Sequence, residues 1–270
     1  MDKGKIFRAL HQAPGAFVIP NPWDIGTAKL LSTLGFKALA TTSAGFAFSR
    51  GLPDGAVGFD TMIHHCREIV GATDLPVSAD LEKGKGDSPE SAEETIFAAA
   101  ATGLAGCSIE DHTGDPGDPI YAFDLAVERV AAAADAARSL KQDFVFTARC
   151  ENFLWNKPDL DDTIRRLQAY EKAGADVVYA PGLTDVETVT KVCQAVSKPV
   201  NVLVMAGFSV AELAKAGAKR LSLGSKLTTY CYGMLQTASR EMLEDGTFGF
   251  SRAGMPFGKV QELFSQGLKK

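Results

Sequence analysis

The chain has 270 residues, 46% of them hydrophobic and 23% charged, with a formal net charge of −5, which suits one soluble α/β barrel enzyme. No basic surplus exists to neutralise a polyanion, which argues against a nucleic-acid partner, and no run of about 18 apolar residues is present to span a membrane. Five cysteines, odd in number and never spaced as CxxC, imply neither a disulfide framework nor a zinc cluster, so a cytoplasmic enzyme is expected.

Short apolar segments alternate with amphipathic stretches and predict strands at 16–22, 37–43, 76–82, 106–111, 144–151, 176–182, 199–205 and 220–225. Several are apolar on both faces, as parallel strands covered by helices are. A Gly closes the helix before four of them, at Gly35, Gly103, Gly174 and Gly217, where a left-handed cap would turn the chain into the next strand. The recurring unit predicts a (β/α)8 TIM-type barrel, with an open doubly wound sheet as the alternative. No linker or composition shift marks a second domain, so residues 1–270 are expected to form one.

Two long loops follow strands, Gly45 to Gly58 after the second and His112 to Pro119 after the fourth. Both should emerge at the C-terminal mouth of the barrel, and the second, rich in Gly and Pro, reads as a gate. Past the eighth strand a helix is expected near 226–244, then Gly246, Gly249, Gly254 and Pro256, then an amphipathic segment near 257–266. That last segment has no strand to cover, so 246–270 is read as an extension that packs on a second subunit in a homo-oligomer.

The strand ends are polar. Asp80 and Glu82, Glu110 and Asp111, and Arg149 and Glu151 close three consecutive strands. Alternation puts Asp80 with Glu82 on one face and Arg149 with Glu151 on one face. Ionised carboxylates so crowded need a cation, and an oxygen-only donor set favours Mg²⁺ or Mn²⁺ over Zn²⁺. The plainer alternative is that each acid pairs with a lysine or faces water. Arg149 offers a bidentate fork to a substrate carboxylate, or else an ion pair with Glu151 or Glu110. Ser43, Ala44 and Gly45 offer backbone N–H groups to an anion, or only a tight turn. His112 opens the gate loop and titrates near neutrality, so it is either an acid/base or a surface histidine. Cys150 should point away from Arg149, into the core.

The segments Asn21-Pro-Trp-Asp24, Thr42-Ser-Ala-Gly45, Leu52-Pro-Asp54, Ala79-Asp-Leu-Glu-Lys-Gly-Lys-Gly86, Ser108-Ile-Glu-Asp111 and Thr147-Ala-Arg149 resemble the isocitrate lyase/phosphoenolpyruvate mutase superfamily, in order and over almost the whole chain. The resemblance implies that Asp80 ligates Mg²⁺ directly while Glu82, Glu110 and Asp54 hold it through water. It also implies that Ser43, Ala44 and Gly45 present the carboxylate of a small substrate and that Arg149 clamps it. By the same resemblance the last helix is exchanged between subunits, in dimers paired into tetramers.

The loop Asp111-His-Thr-Gly-Asp-Pro-Gly-Asp118 lacks the Lys-(Lys/Arg)-Cys-Gly-His stretch of the methylisocitrate-cleaving members and the Lys-Thr-Asn-Ser stretch of the mutases. Decarboxylation of a 2-oxo acid needs chiefly a stabilised enolate, whereas retro-aldol cleavage in those relatives needs the thiol. An oxaloacetate-decarboxylase-like reaction is therefore the first expectation, with His112 replacing the missing acid/base. The alternatives are 2-methylisocitrate-lyase-like cleavage of a 2-hydroxy di- or tricarboxylate, phosphonopyruvate mutase or hydrolase chemistry, and a barrel that only binds a carboxylate.

Overall fold

Strands and helices alternate along the chain in the computed structural model, which describes residues 2–265. The strands are β1 (Phe17–Ile19), β2 (Leu39–Ala40), β3 (Val77–Asp80), β4 (Gly106–Glu110), β5 (Val145–Arg149), β6 (Val177–Tyr179), β7 (Val200–Leu203) and β8 (Arg220–Ser222). The ladders are parallel in the order β1-β8-β7-β6-β5-β4-β3-β2, and β1 pairs with β8. Ala40 N–H donates to Pro20 O at 3.1 Å and so joins the two remaining edges. This is the (β/α)8 barrel, and each strand lies within its predicted window. The windows run long because their last residues belong to turns, where the polar groups sit.

The helices are α1 (Lys3–Gln12), α2 (Ile25–Thr33), α3 (Ser43–Ser49), α4 (Phe59–Gly71), α5 (Pro89–Ala100), α6 (Phe123–Ser139), α7 (Leu160–Ala173), α8 (Val186–Ala195), α9 (Val210–Lys215), α10 (Lys226–Arg240) and α11 (Phe257–Ser265). Their ends are written in the sequence. Asp24, Ser88, Asp159, Asp185 and Ser209 each cap a helix by accepting a backbone N–H. The predicted glycines Gly35, Gly103, Gly174 and Gly217 have φ of 90°, 88°, 110° and 100°, the left-handed region that a Cβ disfavours. Leu167, Tyr170, Phe146, Ile96 and Leu213 fill the layer between sheet and helices. The helices α5 and α6 face each other through small residues such as Ala92, Ala99, Ala133 and Ala137, which lets the helix backbones approach closely.

Two expectations need correction. The 45–58 loop begins inside α3, because Thr42 Oγ1 caps Gly45 N–H and starts a helical turn at Ser43. Glu82 does not continue β3: it lies two residues past the strand with φ of 51°, so a turn and not strand alternation brings it to the mouth.

After α10 the chain passes through a π turn (Glu241–Asp245) and a 3-10 turn (Gly249–Ala253) to α11. α11 rests beside α2 of the same chain, while Leu243, Phe248 and Phe257 stay exposed. Residues 266–270 of the predicted extension lie outside the described residues. Among the described residues no helix is long and apolar enough to cross a membrane.

Candidate active site

A cavity of about 630 Å³ opens at the C-terminal ends of the strands, the end where barrels of this type carry their chemistry. Asp80, Glu110 and Arg149 are the last residues of three adjacent strands, and the β4–β5 register sets Glu110 directly opposite Arg149. Arg149 Nη1 lies 2.7 Å from Asp80 Oδ1 and 2.8 Å from Glu110 Oε1, and Nε lies 2.9 Å from Glu151 Oε1. Its guanidinium also faces the Tyr179 ring at 5.0 Å. Arg149 thus makes ion pairs with both Glu110 and Glu151. Nη2 carries no protein acceptor among the described residues, which leaves one edge of the fork for a ligand.

Alternation sends the intervening residues outward. Asp111 accepts from Tyr170 Oη at 2.6 Å and from Glu151 N–H at 2.8 Å, behind the sheet, and Cys150 is fully buried in the core as expected.

The first turn of α3 completes one wall. Ser43 donates N–H and Oγ to Asp80 Oδ2, at 3.2 and 2.9 Å, and Ala44 and Asp54 also line the cavity. Gly45 is buried beside them but outside the lining: a Cβ there would meet Thr228 Oγ1 at 2.6 Å, so the glycine serves close packing. His112 lies on the opposite wall, its ring stacked on Trp155 with centroids 3.9 Å apart. Its Nε2 is buried without a partner, and burial, with Lys83 and Arg149 nearby, lowers its pKa.

The loop read as a gate is a compact hairpin. His112 bridges Ile120, Thr113 N–H donates to Pro119 O, and Thr113 Oγ1 donates to Asp118 O. Lys83 Nζ ties it to the β3 turn by donating to Thr113 O at 2.7 Å.

Acidic side chains outnumber basic ones in the site. Asp54, Asp80, Glu82, Glu110 and Glu151 all line the cavity. Burial, then the charges of Asp80 and Asp54, push the Glu82 carboxyl up to about 7. Burial raises Glu110 well above the carboxylate range even though Arg149 pulls it down. Arg149 itself is held charged, because Glu110, Glu151 and Asp80 outweigh the cost of burying it.

The model of the family described as phosphoenolpyruvate phosphomutase matches residues 7–243. The chain belongs to this family. A crystal structure of a putative lyase/mutase from Burkholderia cenocepacia J2315 is 53% identical with a TM-score of 0.95, over 97% of this chain and 95% of that one. A protein of Mycobacterium tuberculosis, Rv1998c, is 31% identical over 81% of each chain. The probable 2-methylisocitrate lyase 2 of Corynebacterium glutamicum is 31% identical over 67% of this chain and 60% of its own length. The chain is therefore an enzyme of the isocitrate lyase/phosphoenolpyruvate mutase superfamily, whose named members include lyases and mutases.

The donor set fits a hard divalent cation. Among the described residues no three His, Cys, Asp or Glu side chains converge on one point, so there is no preformed all-protein cage. Spread carboxylates around a roomy cavity instead suit Mg²⁺, which keeps several waters and takes one or two carboxylates directly. The raised Glu82 carboxyl gives a sign to the pH dependence. Its folded pKa exceeds the unfolded value, so the stability it contributes is complete below about 4.5 and lost as pH rises through about 7. The metal-free protein is expected to melt lower at pH 8 than at pH 5. Added Mg²⁺ should raise the melting temperature more at pH 8 than at pH 6, because binding must displace that proton. Equal Mg²⁺ shifts at both pH values, read by calorimetry, would remove Glu82 from the metal site.

Sequence reasoning missed the cavity floor. Tyr179, Asn201, Arg220 and Ser222 line it, one each from β6 and β7 and two from β8. Trp155, from the turn after β5, was missed as well; an exposed-type aromatic beside Leu154 in a strand-end loop was the available signal.

Proposed function

We propose that the chain catalyses Mg²⁺-dependent carbon–carbon cleavage of a small 2-oxo carboxylate through an enolate, with loss of CO2 from an oxaloacetate-like acid. The observation that carries this reading is the cavity itself: Asp80, Glu82, Glu110 and Arg149 meet in it, and among the described residues no cysteine lines it. Asp80 directly, and Glu82, Glu110 and Asp54 through water, would hold Mg²⁺, which would supply polarisation of the 2-oxo group. Arg149 offers Nη2 to the carboxylate beside that group. Its other donors are pinned by Asp80, Glu110 and Glu151, so the guanidinium is oriented before substrate arrives. Ser43 and Ala44 form the wall against which the same carboxylate rests. The hairpin at 112–119 covers the mouth and keeps water from the enolate.

His112 delivers the closing proton in this scheme. Since its pKa lies below the ordinary histidine value, turnover should fall as pH rises toward neutrality and stay low above it, where little imidazolium remains. His112→Gln is expected to lower turnover by about 10²-fold, to flatten that limb and to leave binding nearly unchanged. A loss of only a fewfold would hand the proton to water and remove His112 from the mechanism.

One second reading is favoured by the 2-methylisocitrate lyase relatives: retro-aldol cleavage of a 2-hydroxy di- or tricarboxylate. A panel of 2-oxo acids, 2-hydroxy acids and phosphonopyruvate with Mg²⁺, followed by proton and phosphorus NMR, separates the readings by which compound is consumed.

We further propose a cytoplasmic homo-oligomer, dimer or tetramer, assembled through the extension from 246 onward. Exposed Phe248 and Phe257, with Leu243 just before them, supply apolar surface there. Truncation after Gly254 should give monomer or insoluble protein; a soluble product with an unchanged number of subunits by light scattering would dismiss this assembly mode.

A further inference from the structure

The mouth of the cavity is divided in charge. Its acids and Arg149 come from the chain between β2 and the turn after β5, whereas the lining residues from β6 onward are uncharged apart from Arg220 at the floor. Between these halves, in the turn after β5, stand Leu154 and Trp155, which line the same cavity. Both are large hydrophobic side chains left open, 46% and 37% exposed. The turn that carries them is fixed: the N–H groups of Leu154 and Trp155 donate to Glu151 O at 3.0 and 3.2 Å, and Lys157 N–H closes the turn on Asn152 O at 2.9 Å. Gly182, with φ of 91°, backs Leu154, since a Cβ there would stand 3.2 Å from Leu154 Cδ2. An open Leu and Trp held in place leave apolar surface in water, and an apolar group of a ligand would remove it. Room for such a group exists. A cavity of about 630 Å³ is of the size that buries drug-sized ligands, more than a four-carbon acid and a cation with a few waters at about 30 Å³ each.

We propose that Leu154 and Trp155 form an apolar subsite for a substituent on C3 of the substrate, the carbon that loses CO2. The subsite rests on the proposed 2-oxo acid reaction and narrows its substrate to a 2-oxo dicarboxylate with a branched alkyl or aryl group on C3, oxaloacetate being turned over as the bare homologue. The placement follows from His112. In the proposed reaction it serves C3, and its ring stacks on Trp155 with centroids 3.9 Å apart, so a group carried by C3 meets Trp155 and its neighbour Leu154. Cleavage of the C3–C4 bond releases CO2 and leaves the electron pair on C3 as the enolate. One proton taken up at C3 then gives the substituted 2-oxo monocarboxylate.

Calorimetry with Mg²⁺ and a series of oxamates tests the subsite without turnover. Oxamate presents the carboxylate and the adjoining carbonyl, with nitrogen in the place of C3, and its N-methyl, N-isobutyl and N-benzyl derivatives carry the substituent there. Each buried methylene is worth about fourfold in affinity, so N-isobutyl oxamate should bind at least about tenfold more tightly than oxamate. In Leu154→Ser that gain should shrink by about fourfold or more, a ratio that cancels any effect on the oxamate end. Affinity that stays flat or falls along the series in the wild type overturns the subsite, whether or not Leu154→Ser folds. A flat series with oxamate itself bound sinks the subsite alone, whereas no binding of oxamate sinks the 2-oxo acid reading and the subsite with it. A rising series in a protein that releases no CO2 from any 2-oxo acid supports the subsite and removes only the decarboxylation.

Discussion

Asp80→Ala is expected to abolish Mg²⁺-dependent turnover, by on the order of 10³-fold or more, while the barrel stays folded. Asp80 ends β3 at the mouth, where barrel residues serve chemistry more than stability, and it joins three parts of the site. Its Oδ2 receives both donors of Ser43, and its Oδ1 meets Arg149 at 2.7 Å. Losing it therefore removes the proposed metal ligand and loosens both carboxylate-holding walls. Asp80→Asn separates these effects, because the amide keeps an oxygen for Ser43 but loses the charge. The expected result is that both variants are inactive and that neither gains melting temperature from Mg²⁺. Full activity in either variant would sink the metal assignment.

Arg149→Met should have the largest effect on stability. Arg149 is 9% exposed and neutralises Asp80, Glu110 and Glu151 at hydrogen-bond distance. Removing it strands buried carboxylates, which costs about 3–5 kcal/mol for one broken pair. The sign with pH follows from Glu110, raised by burial even with the arginine present. Without the arginine it rises further, so the variant should be least stable at pH 8 and should recover as pH falls and the stranded acids take up protons. Denaturation at several pH values checks this. A variant as stable as the parent at pH 8 would mean that water or a cation already screens these acids. Turnover should be lost in any case, since among the described cavity-lining residues no other guanidinium sits at a strand's C-terminal end.

Much of this was legible in the sequence because it depends on local rules. The four glycine caps follow from helix ends, and the inward Glu110 and Arg149 with outward Asp111 and Cys150 follow from the period of a strand. Glu82 reached its place by a left-handed turn at φ of 51°, a conformation that nothing in Leu81-Glu82-Lys83 announces. The short helix at Ser43 was hidden because its cap, Thr42, also reads as a strand end. The grip of three acids on Arg149 was visible only as a choice between ligand and ion pair; the structure contains the ion pairs and leaves one edge for a ligand. The floor was out of reach, since Thr147, Asn201 and Arg220 come from three strands and meet only when the barrel closes.

The proposed activity of this cavity is decarboxylation of a 2-oxo acid with the help of a divalent cation. It is tested most directly by mixing the protein with oxaloacetate, with Mg²⁺ and then with excess EDTA, and following pyruvate by proton NMR against the spontaneous background. The expected result is pyruvate and CO2 formed in equal amounts, well above background with Mg²⁺ and falling to background in EDTA. Unchanged release in EDTA, or no release while a methylisocitrate-like acid is split, would contradict it.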